Sequence, residues 1–436
     1  MNFGRLLAGN IVYRLFNVFA GILIAILLTR LMSAGGYGVL SLLIVNASIF
    51  NLASCLGAES GITYHFASNS IRKGKIFSII YFVILFQLIL LGLIEFIHFS
   101  ITWRCWLTGG NEIGFVVWGI IYLFSITLID KYTAFMNGSH LYTLANKIIF
   151  YTNLATVLVF GWFYFFYEKQ GIGFYIHLFI GASFLQAIML IFFYHRDSKQ
   201  RLIFLAIEKN DWVLFFSYSF IVFITNILQF LAYRIDYWLV DFYRGTESLG
   251  LYSLAVRLCQ LFWVLPVLFA SILFPRVADK EMEPDSTKLL LLLRCSNTFS
   301  LIAIFITAAL AGWGIPLFFG KEFNSSVLPF LYLLPGIFMF GINILLAAYF
   351  AGKNRLSINL TGSAICFVLV LLLDLWLIPL HGVVGAAIAS SIAYAVAAVY
   401  SMWMFMRIRR EPLSSLLFLQ KKDWLQVKEV YKKMFG

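Results

Sequence analysis

In the stretch NILQFLAYRIDYWLVDFYRGTESLGLYSLAVRLCQLFW, residues 226–263, Arg234 and Asp236 interrupt one long apolar segment and Arg257 interrupts the next. At the centre of a membrane helix such a group costs about 2.5–3.5 kcal/mol on insertion scales, so it is expected to face a bundle interior or a watery cavity. A guanidinium pairs with phosphate through two parallel hydrogen bonds and keeps its charge when partly desolvated. Intramembrane carboxylates mark ion and proton pathways. The chemistry on offer is the binding of an anionic cargo along a membrane path, with acids available to a coupling ion.

Spacing adds further residues to this set. Asn10, Arg14 and Asn17 fall at i, i+4 and i+7, on one face of the first apolar helix. Asn226, Gln229, Tyr233 and Asp236 lie within roughly a quarter-turn of one another. The second span carries Ser48, Asn51, Cys55 and Glu59 at helical spacing. Arg257 and Gln260 stand at i and i+3, Arg294 is followed by Asn297 and Thr298, and Arg30 closes the first span. Cargo-binding candidates are therefore Arg14, Asn17, Arg30, Asn226, Gln229, Arg234, Arg257, Gln260 and Arg294, with Arg257 and its neighbour Gln260 foremost. Glu59, Asp236 and Asp374 are the ion-coupling candidates.

Structural explanations compete with each of these. Arg14 and Arg294 lie close enough to an interface to snorkel. Arg234 and Asp236 are about 200° apart on an ideal helix, so one faces a cavity while the other is expected in an interhelical salt bridge. The polar stripe from Asn226 favours Asp236 for the cavity. Asp374 suits a hydrogen-bonded structural role equally well. Asp130 with Lys131, Glu95, and Asp241 with Arg244 are expected at the interfaces, and the six histidines sit near loop ends without clustering.

The elements that must position these groups are membrane helices. Hydrophobic residues make up 62% of the 436 and charged ones 12%, about half the charged content of soluble domains. Twelve apolar runs are long enough to span, approximately 11–32, 38–66, 76–98, 114–136, 146–167, 173–194, 212–243, 249–275, 289–312, 329–350, 358–379 and 385–406. Lys and Arg concentrate in alternate connections, around 72–75, 147, 196–209, 276–288 and 353–355, and in the C-terminal tail, which places both termini in the cytoplasm. Scattered in this way, the net charge of +12 points to membrane orientation and away from nucleic acid.

The two halves repeat. Gly38, Ser41 and Leu42 superpose on Gly250, Ser253 and Leu254 at a shift of 212, and Gly138 and Gly171 on Gly352 and Gly385 at 214. The expected fold is an all-α polytopic membrane protein, with twelve helices in two six-helix lobes around a central cavity. The lobes are residues 1–194 and 212–406, residues 195–211 link them, and residues 407–436 form a basic amphipathic tail lying on anionic lipid. Five scattered cysteines show no metal spacing, and no cofactor or nucleotide motif occurs. Internal connections of at most about 17 residues leave little room for an extramembrane catalytic domain.

The runs ILLTRLMSAGGYGVLSLL, SLGLYSLAVRL, LFPRVA, LAAYFAGKNRLSINLTG and LWLIPLHGVVGAAIASSIAYAV resemble the polysaccharide transporter family within the multidrug/oligosaccharidyl-lipid/polysaccharide exporter superfamily. The resemblance covers essentially the whole chain, although its motifs identify the fold and not the cargo. It implies a non-enzymatic, two-lobed flippase of the bacterial inner membrane. Such a protein moves undecaprenyl-diphosphate-linked glycan, the O-antigen or a related repeat unit, from the cytoplasmic to the periplasmic leaflet by alternating access. Implied partners are membrane lipids, H+ or Na+ as coupling ion, and the glycan polymerase and chain-length proteins. The cationic roles would fall to Arg14, Arg30, Arg234, Arg257 and Arg294. Asp374 departs from the asparagine common in relatives. A cation-coupled multidrug exporter of the same superfamily is the alternative, and a membrane glycan polymerase or ligase is a third reading.

Overall fold

An apolar chain in lipid must satisfy its backbone hydrogen bonds internally, which leaves helices as the economical solution for runs of this length. The computed structural model describes residues 3–68, 71–102, 104, 106–107, 113–139, 141–167, 170–198, 205–278, 286–353 and 355–410. Part of the linker, the tail after residue 410 and the side chain of Arg14 lie outside the described residues. Among the described residues there is no strand.

The helices are α1 (Phe3–Leu31), α2 (Ala34–Cys55), α3 (Ala58–Ser68), α4 (Lys73–Thr102), α5 (Ile113–Gly138), α6 (Tyr142–Phe166) and α7 (Ile172–Ser198). They continue with α8 (Lys209–Gln260), α9 (Val264–Ala278), α10 (Ser286–Phe319), α11 (Val327–Gly352) and α12 (Leu356–Arg409), with short 3-10 turns before α9 and α11. Nine helices among the described residues are long and apolar enough to cross a membrane, and Phe16–Leu31 is a shorter apolar helix.

Three breaks interrupt longer helical paths. Leu56 and Gly57, at φ 50° and 75°, separate α2 from α3. Gly245 (φ 80°, ψ 169°) interrupts α8, and Gly382 (φ 60°, ψ −137°) interrupts α12. Lacking a Cβ, glycine enters this left-handed region without steric cost. The break in α12 frees carbonyls that Arg244 then satisfies, its Nη2 donating to Ile378 O at 3.2 Å and to Pro379 O at 2.6 Å.

Two compact units result. The first comprises Met1–Phe230, Thr246–Gly250 and Phe318–Glu322, and the second Leu231–Gly245, Leu251–Leu317 and Phe323–Gly436. In the first, Phe66, Phe77, Tyr132, Phe135 and Tyr194 are all nearly inaccessible and interlock, with centroids 4.7 Å apart between Phe77 and Phe135. Residues 205–216 dock onto this unit. Lys75 Nζ reaches Glu208 Oε1 at 2.9 Å and Asp211 Oδ2 at 2.8 Å, and Trp212 packs edge-on against Phe82. The second unit closes around Leu293, Leu345, Tyr349, Phe350 and Phe405.

The repeat deduced from the sequence has a counterpart inside the first unit. A Cβ on Gly38 would run into the Thr246 carbonyl, and a Cβ on Gly250 into the Ala34 carbonyl. Because Ala34 and Thr246 are separated by the same 212 positions as Gly38 and Gly250, the two segments meet as equivalents about a local two-fold. Beside this crossing Ala34 N donates to Glu322 Oε2 at 3.3 Å, and Arg30 Nε to Phe318 O at 2.9 Å.

Candidate functional site

Two polar clusters lie within the spans, one in each unit. In the second unit α8 presents Arg234 and Asp236 to different surroundings, as their angular separation requires. Asp236 is 1% exposed. Its Oδ2 accepts from Tyr252 OH at 2.5 Å and from Ser390 Oγ at 3.3 Å, which joins α8 to α12. Arg234 is half-buried. It donates from Nη1 to Tyr237 OH at 2.8 Å and from Nη2 to Gln260 Oε1 at 3.1 Å, and lies over the Tyr237 ring. The interhelical salt bridge expected for one of the two is corrected by this geometry. Among the described residues neither forms an ion pair, because hydroxyls and an amide take the partner positions.

Asp374 on α12 is wholly buried, and among the described residues neither of its carboxylate oxygens has a hydrogen-bond partner, nor has Asp236 Oδ1. Asp236 and Asp374 are near enough to interact electrostatically. Among the described residues three carboxylate oxygens of this pair are thus without a hydrogen-bond partner, and carboxylate oxygens are hard acceptors of the kind a proton or a small hard cation takes.

In the first unit the cluster centres on α5. Lys131 is fully buried and forms an ion pair with Glu59, in the first turn of α3. Glu59 Oε2 also accepts from Cys55 Sγ at 3.1 Å. Asp130, next to Lys131 in sequence, points elsewhere and is exposed, its Oδ2 accepting from Asn51 Nδ2 at 2.7 Å. Asn51 Oδ1 in turn accepts from Gln87 Nε2 at 3.2 Å and Thr127 Oγ1 at 3.1 Å. Lys131, expected with Asp130 at an interface, is enclosed by protein. Lys131 closes a buried ion pair, and Asp130 stands eight residues, about 12 Å, from the end of α5. Glu95 ties the end of α4 to the connection that follows it. It is 1% exposed and accepts from the backbone N–H groups of Trp106 at 2.9 Å and Leu107 at 3.0 Å.

The other candidates are spread through the helices. Asn17 Nδ2 donates to Asn146 O at 3.4 Å in the first unit, where Asn226 is exposed and Gln229 half-buried. Arg257 is half-buried on α8, and Arg294, only 2% exposed, lies on α10 beside buried Asn297. Gln260, paired in sequence with Arg257, instead accepts from Arg234. Sequence spacing missed Tyr252, Ser390, Gln87 and Lys131. The shared helical face of Ser48, Asn51, Cys55 and Glu59 was the available pointer to the first-unit cluster.

Comparison with known proteins adds the following. A family model described as polysaccharide biosynthesis protein matches residues 27–328. No curated protein sequence is close enough to match. Among solved structures, the lipid II flippase MurJ in an inward closed conformation is similar at TM-score 0.71 and 14% identity, covering 98% of this chain and 92% of that one. A multidrug resistance MATE family transporter of the MOP superfamily, in an inward-facing conformation, superposes at TM-score 0.66 and 14% identity, over 91% of this chain and 95% of that one. A MOP superfamily transporter from Pyrococcus furiosus gives TM-score 0.62 and 15% identity over 93% and 95%. The chain has the fold these transporters share.

Proposed function

We propose a function from a premise that now stands: the chain belongs to the polysaccharide biosynthesis protein family. It is a flippase for undecaprenyl-diphosphate-linked oligosaccharide, the O-antigen or a related repeat unit, in the bacterial inner membrane. Twelve spans in two lobes alternate access between the leaflets, and the basic connections put both termini in the cytoplasm. The observation that carries this reading is charge placement: Arg234 and Arg257 are half-buried guanidinium groups on membrane helices. A diphosphate spreads its charge over several oxygens that such groups bind in pairs, whereas an exporter of cationic drugs would present carboxylates to its cargo.

The acids of the second unit support coupling to an ion. With a proton or Na+ among the oxygens of Asp236 and Asp374, the repulsion of two buried carboxylates is relieved and α8 can close on α12. Binding and release of the ion would thereby bias the two arms of α8 on either side of Gly245, which carry Arg234 and Arg257.

The test is flipping of a fluorescent undecaprenyl-diphosphate-linked glycan by the purified protein in liposomes, with and without Na+ or proton gradients. Arg234→Ala and Arg257→Ala should each reduce transport at least tenfold while the protein still inserts. Asp236→Asn and Asp374→Asn should remove the response to the gradient. Undiminished flipping with both arginines replaced would refute the cargo assignment, and an unchanged gradient response in the acid variants would refute the coupling.

A further inference from the structure

The two arms of α8 lie side by side, and their cross-contacts run in step away from the break at Gly245. Tyr252 meets Asp236, then Gln260 meets Arg234, and then the Trp263 ring, in the turn after the second arm, meets Tyr233 at 5.2 Å between centroids. Phe340 on α11 and Tyr394 on α12 complete this last step. Their centroids lie 5.3 and 6.0 Å from Tyr233 and 5.2 and 5.9 Å from Trp263. All of these residues belong to the second unit. Phe340 and Tyr394 are enclosed, whereas Tyr233 and Trp263 are half-buried, as are Arg234 and Gln260 beside them. Trp263 Nε1 donates to Ile337 O at 3.1 Å, which holds the indole in place.

The polar pair next to these rings has donors to spare. Arg234 can only donate, so Gln260 turns its carbonyl oxygen toward it, and among the described residues Gln260 Nε2 gives its N–H bonds to no other group. Arg234 itself hydrogen-bonds through Nη1 and Nη2 to Tyr237 and Gln260, which leaves N–H groups of the guanidinium for a ligand. Half-buried aromatic surface beside unspent donors selects what can cover it. An acyl chain would leave the donors unpaired, and a cationic aromatic compound would meet the positive charge of Arg234. A sugar ring satisfies both parts: its polarised C–H bonds rest on the negative face of an aromatic ring, and its hydroxyl oxygens accept from the amide.

We propose that Tyr233 and Trp263 form a platform for the first sugar of the lipid-linked glycan, with Gln260 Nε2 as a donor to its hydroxyls. Resting on the flippase reading, this deepens it through covalent order. The first sugar is bonded directly to the diphosphate, so it must lie beside the guanidinium that holds the phosphates, and the step beside Arg234 is the Tyr233–Trp263 pair.

The experiment compares binding of two probes to the purified full chain in nanodiscs: polyprenyl diphosphate bare, and the same lipid carrying N-acetylglucosamine. The wild type should bind the sugar-bearing probe about three- to tenfold more tightly. Trp263→Leu and Tyr233→Leu should each erase most of that preference and leave the bare lipid unchanged. Trp263→Phe, which keeps an aromatic face, should retain most of it, and Arg234→Ala should weaken both probes together. A wild type that binds the probes equally, leucine variants that weaken both equally, or a Trp263→Phe protein indistinguishable from Trp263→Leu would overturn the platform. The second of these results would mark the rings as packing alone. A wild type that binds neither probe would instead overturn the flippase reading, and the platform with it.

Discussion

Replacing Gly38 with alanine tests the local two-fold directly. The new Cβ would meet the Thr246 carbonyl and the Gly250 amide, and because these are backbone atoms the clash is relieved only by parting the two segments. Overpacking of this kind costs about 1–3 kcal/mol. Alanine in place of glycine within a helix returns about 1 kcal/mol. The net change for Gly38→Ala is thus a loss of about 0–2 kcal/mol. Gly92 in α4 is the control, since a Cβ there would meet nothing within 4 Å, and Gly92→Ala should gain the full helical increment. The two variants should differ by about 1–3 kcal/mol in unfolding of the detergent-solubilised protein. Gly250→Ala should resemble Gly38→Ala, because its Cβ would strike Ala34 as the other strikes Thr246. Once one Cβ has parted the segments the second is partly accommodated, so the double variant should lose less than the sum, by about 0.5–3 kcal/mol. A Gly38→Ala protein as stable as Gly92→Ala, or strict additivity in the double variant, would refute the close crossing.

Two further outcomes follow from the ion pairs. Lys131→Met strands Glu59 without its ammonium partner and should cost about 3–5 kcal/mol in the same unfolding assay, most of it recovered by adding Glu59→Gln; a Lys131→Met protein of wild-type stability would contradict the buried pair. Outside the spans, the hydrogen bond from Lys75 holds the Asp211 carboxyl below the usual carboxylate range. A depressed acid stabilises the docked form above its unfolded pKa of about 3.9, and that contribution fades as pH falls through the lower folded value. The hydrogen-exchange protection of residues 205–216, taken relative to the intrinsic rate at each pH, should therefore fall on acidification, a step that Asp211→Asn removes by having already lost it; identical protection profiles for the two proteins would count against the Lys75 contact.

What could be read from the sequence was whatever depends on position along one helix. The apolar runs mark the membrane helices, and the shift of 212 reappears in the pairing of Gly38 with Gly250 and of Ala34 with Thr246. The angle between Arg234 and Asp236 foretold that they would enter different surroundings, because rotation per residue is fixed whatever the packing. Partners are another matter. Ser390 and Tyr252 meet Asp236 from 154 and 16 residues away, and no periodicity within α8 could name them. The breaks at Gly245 and Gly382 were equally hidden, since glycine is common in membrane helices and only the φ angle shows which one turns the chain.

Asp130 and Lys131 show where the two kinds of information meet. Read as neighbours near a helix end they looked like an interfacial pair. Successive residues on a helix point about 100° apart, so the two side chains can be taken up by different neighbours. Once α3 supplies Glu59, the lysine can be buried as part of an ion pair, while the aspartate accepts from Asn51 on α2. Which neighbour each one meets is decided by α2 and α3, and no periodicity within α5 could name Asn51 or Glu59 as the partners.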